Sequence, residues 1–190
     1  MRGWAFALRC FRILSLLAIL LPVANRAFGN GEFLGLEDRV VSLYAENKTA
    51  LVRVKAMYPP KEDEDVPQVV IGTGFFISRE GLILTNASIV YKPLRVWIEH
   101  NDIAYSAELL GIDERSNIAF LRTHTLPESF TFLHLADNAE LPSIGRFVLR
   151  FSMPLEFGVS PHLGIVSGFE SRFGERFFPC TYVRTNVPAG

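Results

Sequence analysis

Gly72-Thr73-Gly74-Phe75-Phe76-Ile77-Ser78-Arg79-Glu80-Gly81-Leu82-Ile83-Leu84-Thr85-Asn86-Ala87-Ser88-Ile89-Val90 contains two short apolar runs with a polar turn between them. The spacing predicts one strand over Val69–Ile77, a turn at Ser78–Gly81 and a second strand over Leu82–Thr85. The same grammar extends in both directions. Leu51–Ala56 alternates apolar and polar residues, as a half-buried strand does. Further strands are predicted at Leu94–Glu99, Ile103–Ile112, Ile118–Arg122, Phe132–Leu135, Arg146–Phe151, Leu163–Ser167 and Thr181–Arg184. Short strands at this spacing, separated by Gly, Pro, Asn and Asp, indicate an antiparallel sandwich or barrel. Pro93, Pro127 and Pro142 fall between strands, where a missing N–H does no harm.

Two segments depart from the strand pattern. Before the first strand, Leu36, Val40, Leu43, Tyr44 and Asn47 recur at helical spacing, with Glu37, Asp38, Glu46 and Lys48 on the other side, which predicts a short amphipathic helix. The run Lys61-Glu62-Asp63-Glu64-Asp65 reads as a solvated hairpin loop, because clustered acids without apolar residues do not bury. It lacks the spaced ligands and turn glycine of a dedicated calcium loop.

The first 29 residues read as a targeting segment rather than as part of the fold. Arg2, Arg9 and Arg12 precede an apolar run of 11 residues, Ile13–Val23. A bilayer-spanning helix needs about 20, so the run fits the hydrophobic region of a signal peptide. Small residues in Ala27-Phe28-Gly29 place cleavage after Gly29, with Ala24 as the alternative site and an uncleaved anchor as the alternative fate. Either way an exported protein, periplasmic or secreted, is expected. Without residues 1–29 the formal charge moves from −1 to −5, with 15 basic and 20 acidic residues. No basic stripe then remains to suggest nucleic-acid binding. Cys10 leaves with the segment and Cys180 is left alone, so neither an internal disulfide nor a cysteine-based metal site is expected. Cys180 is expected to pack as a small hydrophobe rather than to react.

Three segments carry a resemblance beyond pattern. Gly72–Val90 resembles the first-barrel signature of the HtrA/Deg branch of trypsin-like serine proteases, in which Gly-x-Gly-Phe leads through a hairpin to Leu-Thr-Asn-Ala-His-Val-Val. Gly111–Arg122 (Gly-Ile-Asp-Glu-Arg-Ser-Asn-Ile-Ala-Phe-Leu-Arg) is similar to the segment ending Asp-Ile-Ala-Leu-Leu. After Leu133–Asn138, which resembles the link between barrels, Gly164–Gly168 is close to the Gly-Ile-Val-Ser of the second barrel. The resemblance covers roughly residues 40–190. It implies an all-β, chymotrypsin-like double β-barrel with the first barrel complete and the second incomplete, preceded by a short N-terminal helix. The implied divisions are a signal peptide over 1–29, a helical segment over 30–49, a first barrel over 50–138 and part of a second over 139–190.

The resemblance also locates the chemistry, and there the sequence departs from the family. A serine attacks the carbonyl, a histidine takes its proton, and an aspartate orients the imidazole. The histidine position reads Ser88 and the aspartate position Asn117. A hydroxyl is essentially non-basic near neutral pH, and an amide has no charge to stabilise an imidazolium. Either change is expected to lower the rate by several orders of magnitude. Thr181–Asn186 looks like the strand leading to the Gly-Asn-Ser-Gly-Gly turn, so the nucleophilic serine and its oxyanion-hole amides would lie beyond Gly190. No catalytic set is therefore expected to be intact.

No other residue is expected to replace it. His100 and His124 read as loop residues following strands, and His134 as the solvent-facing residue of a strand. His162 precedes the Gly-Ile-Val-Ser strand and is the histidine expected nearest the cleft. None has metal-ligand spacing, and neither a metal nor another cofactor is expected. The expected function is that of a pseudoprotease binding a peptide, an unfolded protein segment or a partner protease. No nucleic acid or small-molecule cofactor is expected, and the membrane enters only through an uncleaved signal segment. Two alternatives stand beside it: an active serine endopeptidase in a full-length form, and a truncated product without function.

Overall fold

The computed structural model describes residues 30–137, 140–173 and 176–187. The signal segment expected over 1–29, and residues 188–190, lie outside the described residues. Helix α1 (Asn30–Asn47) leads through a 3-10 turn (Lys48–Ala50) into the first strand. Helical residues up to Leu43 fall in one compact unit, and Tyr44 onward in a second. Along the helix the predicted stripe of Leu36, Val40, Leu43, Tyr44 and Asn47 is half-buried, while Glu37, Asp38 and Glu46 are exposed.

In the second unit, β1 (Leu51–Tyr58), β2 (Gln68–Phe76), β3 (Leu82–Asn86), β4 (Arg95–His100), β5 (Ile103–Asp113) and β6 (Ile118–Thr123) follow in order. They close a barrel with neighbours β1-β2-β3-β6-β5-β4, and every pairing is antiparallel. Closure removes the exposed edges that an open sheet would leave. Inward positions alternate along each strand: Val52, Val54 and Ala56 on β1, Val96 and Ile98 on β4, Ala119 and Leu121 on β6. They meet Phe76 and Ile83 in a core that water does not reach.

The turns follow local chemistry. Lys61–Asp65 is exposed at the β1–β2 connection, as predicted. Asn101 and Asp102 both take positive φ, 50° and 61°, in the two-residue β4–β5 turn where left-handed residues match the strand twist. Gly81 (φ 80°) closes the β2–β3 hairpin. There Ser78 Oγ accepts from the backbone N–H of Glu80 at 3.2 Å and of Leu82 at 3.4 Å.

The glycines of the Gly-x-Gly motif are required by packing. A Cβ at Gly74 would stand 2.8 Å from Val54 Cγ2 and 3.2 Å from the carbonyl oxygen of Leu84. One at Gly72 would overlap the Ile89 side chain. Gly74→Ala is therefore expected to destabilise the protein by about 1–3 kcal/mol, the range for overpacking. Gly111→Ala, where a Cβ meets nothing within 4 Å, is expected to stay within about 0.5 kcal/mol of wild type. Urea titrations of the two variants check this, and equal midpoints would remove packing as the reason for Gly74.

A second sheet holds β7 (Phe147–Ser152), β8 (Ser160–Phe173) and β9 (Arg176–Thr185) in that order. Its last two strands contain and extend the predicted Leu163–Ser167 and Thr181–Arg184. The fold is thus the expected all-β one, with one closed barrel, a partial second sheet and a short N-terminal helix.

Four local expectations are corrected. Phe132–Leu135 is not a strand. The barrel is closed and offers no edge for a ladder, so Leu133 N–H makes one bond, 2.8 Å to the carbonyl of Phe76. Phe130 and Phe132 instead pack on the core across the barrel end. His134 consequently lies outside any strand; it is exposed, with its ring against Phe132. His100 is not a loop residue: it ends β4 and is only 2% exposed, its Nε2 lying 2.9 Å from the carbonyl oxygen of Thr49. Cys180 is exposed rather than packed; it lies on β9, which among the described residues pairs only with β8.

Candidate active-site cleft

Asn86-Ala87-Ser88-Ile89-Val90 leaves β3 through a 3-10 turn over Ala87–Ile89. Ala87, Ile89 and Val90 are buried in the barrel core, which anchors the turn on three sides and leaves Ser88 facing out. The burial pattern follows directly from the residue types, three apolar side chains around one hydroxyl.

Asn117 comes from the other direction, at the end of the β5–β6 hairpin. Asp113 organises that turn: its carboxylate accepts from Ser116 Oγ at 2.6 Å and from Arg115 N–H at 3.0 Å. The Ser116 hydroxyl, followed by the Arg115 amide, holds the Asp113 carboxyl below its ordinary range. The chain then passes through Asn117 in the left-handed region, φ 59°, which Asn tolerates better than most residues. Pairing of Asn86 with Ile118 across β3 and β6 brings the two turns together.

The contact between them is specific. Ala87 N–H donates to the backbone carbonyl of Asn117 at 3.1 Å, and Ser88 N–H donates to Asn117 Oδ1 at 2.8 Å. The structure thus brings together Ser88 and Asn117, 29 residues apart in sequence. They line an open cleft of about 320 Å³ with Ala87, Tyr91 and Glu114. Tyr182 of β9 donates its hydroxyl to the carbonyl of Arg115 at 3.3 Å, which ties the second sheet to the turn that carries Asn117.

Among the described residues that line this cleft there is no histidine. His100 is buried at the opposite end of β4. His124 is exposed and faces Glu108 at 3.5 Å. His162 sits on β8 opposite Arg150, with Nε2 3.2 Å from Ser152 Oγ. Pattern reading missed that Ser–His contact, since the two are ten residues apart on paired strands. Ser152 is only 4% exposed, so a substrate carbonyl has no access to it. Among the described residues no three His, Cys, Asp or Glu side chains converge to hold a metal ion. No helix among them is long and apolar enough to cross a membrane.

This two-turn cleft on a six-stranded barrel occurs in a chain whose residues 72–188 match the trypsin-like peptidase domain. Similar proteins include serine protease HTRA1A of Danio rerio, 33% identical over 123 residues, covering 63% of this chain and 25% of that protein. A probable periplasmic serine endoprotease, DegP-like, of Pseudomonas fulva is 34% identical over 119 residues, covering 62% and 24%. The chain is an HtrA-like member of the trypsin-like serine protease family. It spans about a quarter of the length of these curated relatives. This HtrA-like domain holds the barrel, the turn after β3 and the β5–β6 hairpin. Among the described residues that line its cleft, Glu114 supplies the one carboxylate, and Ser88 and Asn117 supply neutral polar groups.

Proposed function

We propose that this HtrA-like chain is an exported pseudoprotease, which binds an extended peptide or unfolded protein segment without hydrolysing it. The observation that carries the reading is the Ser88–Asn117 contact. In this reading Ser88 and Asn117 take the positions of the family's histidine and aspartate. The two turns are joined by Asn117 Oδ1 accepting the Ser88 N–H, while both side chains are non-basic. General-base catalysis needs a group whose pKa lies near the working pH, and neither a hydroxyl nor an amide is one. Export is supported by the positively charged, short apolar N-terminus and by relatives whose names describe them as periplasmic.

Incubation of the purified chain with fluorescein-labelled, reduced and carboxymethylated casein tests the reading. The expected result is no release of soluble fluorescence, together with a rise in anisotropy as casein binds. Turnover that is blocked by a fluorophosphonate and lost in Ser88→Ala would refute the inactive assignment. Absence of any anisotropy change would refute the binding role.

A further inference from the structure

We propose that the cleft is a hydrogen-bond donor site for an uncharged carbonyl, the backbone C=O of an extended peptide, with Asn117 Nδ2 and Ser88 Oγ as the donors. This rests on the peptide-binding reading above and specifies its chemistry. An Asn amide has one acceptor end and one donor end. The Ser88 N–H can be met only by the acceptor, so the 2.8 Å contact fixes Oδ1 in place. That leaves Nδ2, with its two N–H groups, as the free end of a side chain that lines the cleft. Among the described residues no protein acceptor meets it. The Ser88 hydroxyl lines the same cleft, and its backbone N–H is already used, so only Oγ is available to a ligand.

The walls favour a neutral acceptor. Glu114 lines the cleft and opposes an incoming carboxylate by like-charge repulsion. Lys92 Nζ lies 5.0 Å from the centre of the Tyr91 ring, so a cation also stands next to a lining residue, which disfavours a basic side chain. Two neutral donors beside a lining carboxylate match an uncharged peptide carbonyl better than a carboxylate. The same two positions that lack a base are therefore suited to hold a substrate-like backbone in place. The orientation depends on Asn rather than Asp: a carboxylate at 117 would keep the bond to Ser88 N–H but turn its second oxygen, an acceptor, toward the ligand.

Asn117→Asp tests this directly, because it preserves the structural bond and left-handed Asp is tolerated. Binding of the labelled casein by the full chain, followed by anisotropy, is expected to weaken roughly three- to tenfold in Asn117→Asp, the effect of losing one net hydrogen bond. Ser88→Ala, which keeps its backbone N–H, is expected to weaken it by a similar factor, and thermal melting of both is expected to match wild type. If Asn117→Asp fails to fold, Ser88→Ala still decides. Casein binding as tight as wild type in either folded variant overturns the donor pair while leaving the binding function intact. Failure of the wild-type chain to bind casein defeats the function itself. A capped peptide amide is expected to compete at least as well as the same peptide with a free carboxylate. Clear preference for the carboxylate would mean an anion site and overturn the proposal.

Discussion

Phe76→Ala is expected to lower the unfolding free energy by about 3–5 kcal/mol, the range for deleting a large aromatic from a packed core. Phe76 is fully buried at the end of β2. Its ring lies 4.3 Å from that of Phe130, centre to centre, and meets His100 edge-on at 6.0 Å. Truncation opens a void between the barrel wall and the segment that crosses its end, and the surrounding strands are hydrogen-bonded on both sides and collapse only partly. The backbone carbonyl of Phe76 also anchors Leu133, so loss of ring packing loosens the crossing segment as well. Phe120 is the control: it lies on the outer face of β6, 37% exposed, and Phe120→Ala is expected to cost roughly 1 kcal/mol or less. Urea unfolding monitored by circular dichroism gives both values. A loss for Phe76→Ala no greater than for Phe120→Ala would mean that the barrel end is not a packed core.

The contrast between those two phenylalanines marks how far the sequence could be read. Strand positions followed from alternation, whereas the turn that carries Ser88 was not among the predicted elements. The family resemblance added the pairing of that turn with Asn117, which alternation alone does not encode, because it depends on the register of β3 against β6. Features that depend on three-dimensional neighbours were not legible. His100 looks like a loop residue until the Thr49 carbonyl is placed beside it. Phe132–Leu135 alternates like a strand, yet a closed barrel has no edge to receive it. Arg53 and Lys55 fit the solvent side of a half-buried strand, but Arg53 is only 5% exposed. What buries it arrives about a hundred residues later, from the loop between β7 and β8.

That loop underlies the second large effect, expected in Glu99→Gln. Arg53 donates to Glu99 Oε2 at 3.0 Å and to the carbonyl of Phe157 at 2.7 Å. Lys55 Nζ sits 2.8 Å from Glu99 Oε1 and 3.0 Å from Glu156. Glu99 is therefore the shared anion of two cations on β1, and Glu156, its side chain 66% exposed and 3.7 Å from Arg53, is a weak substitute. Removing one partner of a buried pair strands the other charge, and the expected loss at neutral pH is about 3 kcal/mol, the low end for such breaks because Lys55 remains partly solvated. The pH dependence has a definite sign. Burial raises the Glu99 carboxyl, but the hydrogen bonds and charges of Lys55 and Arg53 outweigh it and leave the group below its ordinary 4.5. The Glu99 hydrogen bond, against desolvation, lifts Lys55 above its ordinary 10.5. A lowered carboxyl contributes stability above its unfolded pKa and loses it as pH falls through the folded one; a raised lysine contributes below its unfolded pKa and loses it as pH rises. The difference between wild type and Glu99→Gln is thus expected to be flat from roughly pH 5 to 10. It should shrink below that window as Glu99 takes up a proton and comes to resemble Gln. Urea midpoints for the two proteins at pH 7 and pH 3 measure it. A difference that persists undiminished at pH 3 would show that Glu99 acts through shape rather than charge, and that the ionic cluster does not hold the β7–β8 loop against the barrel.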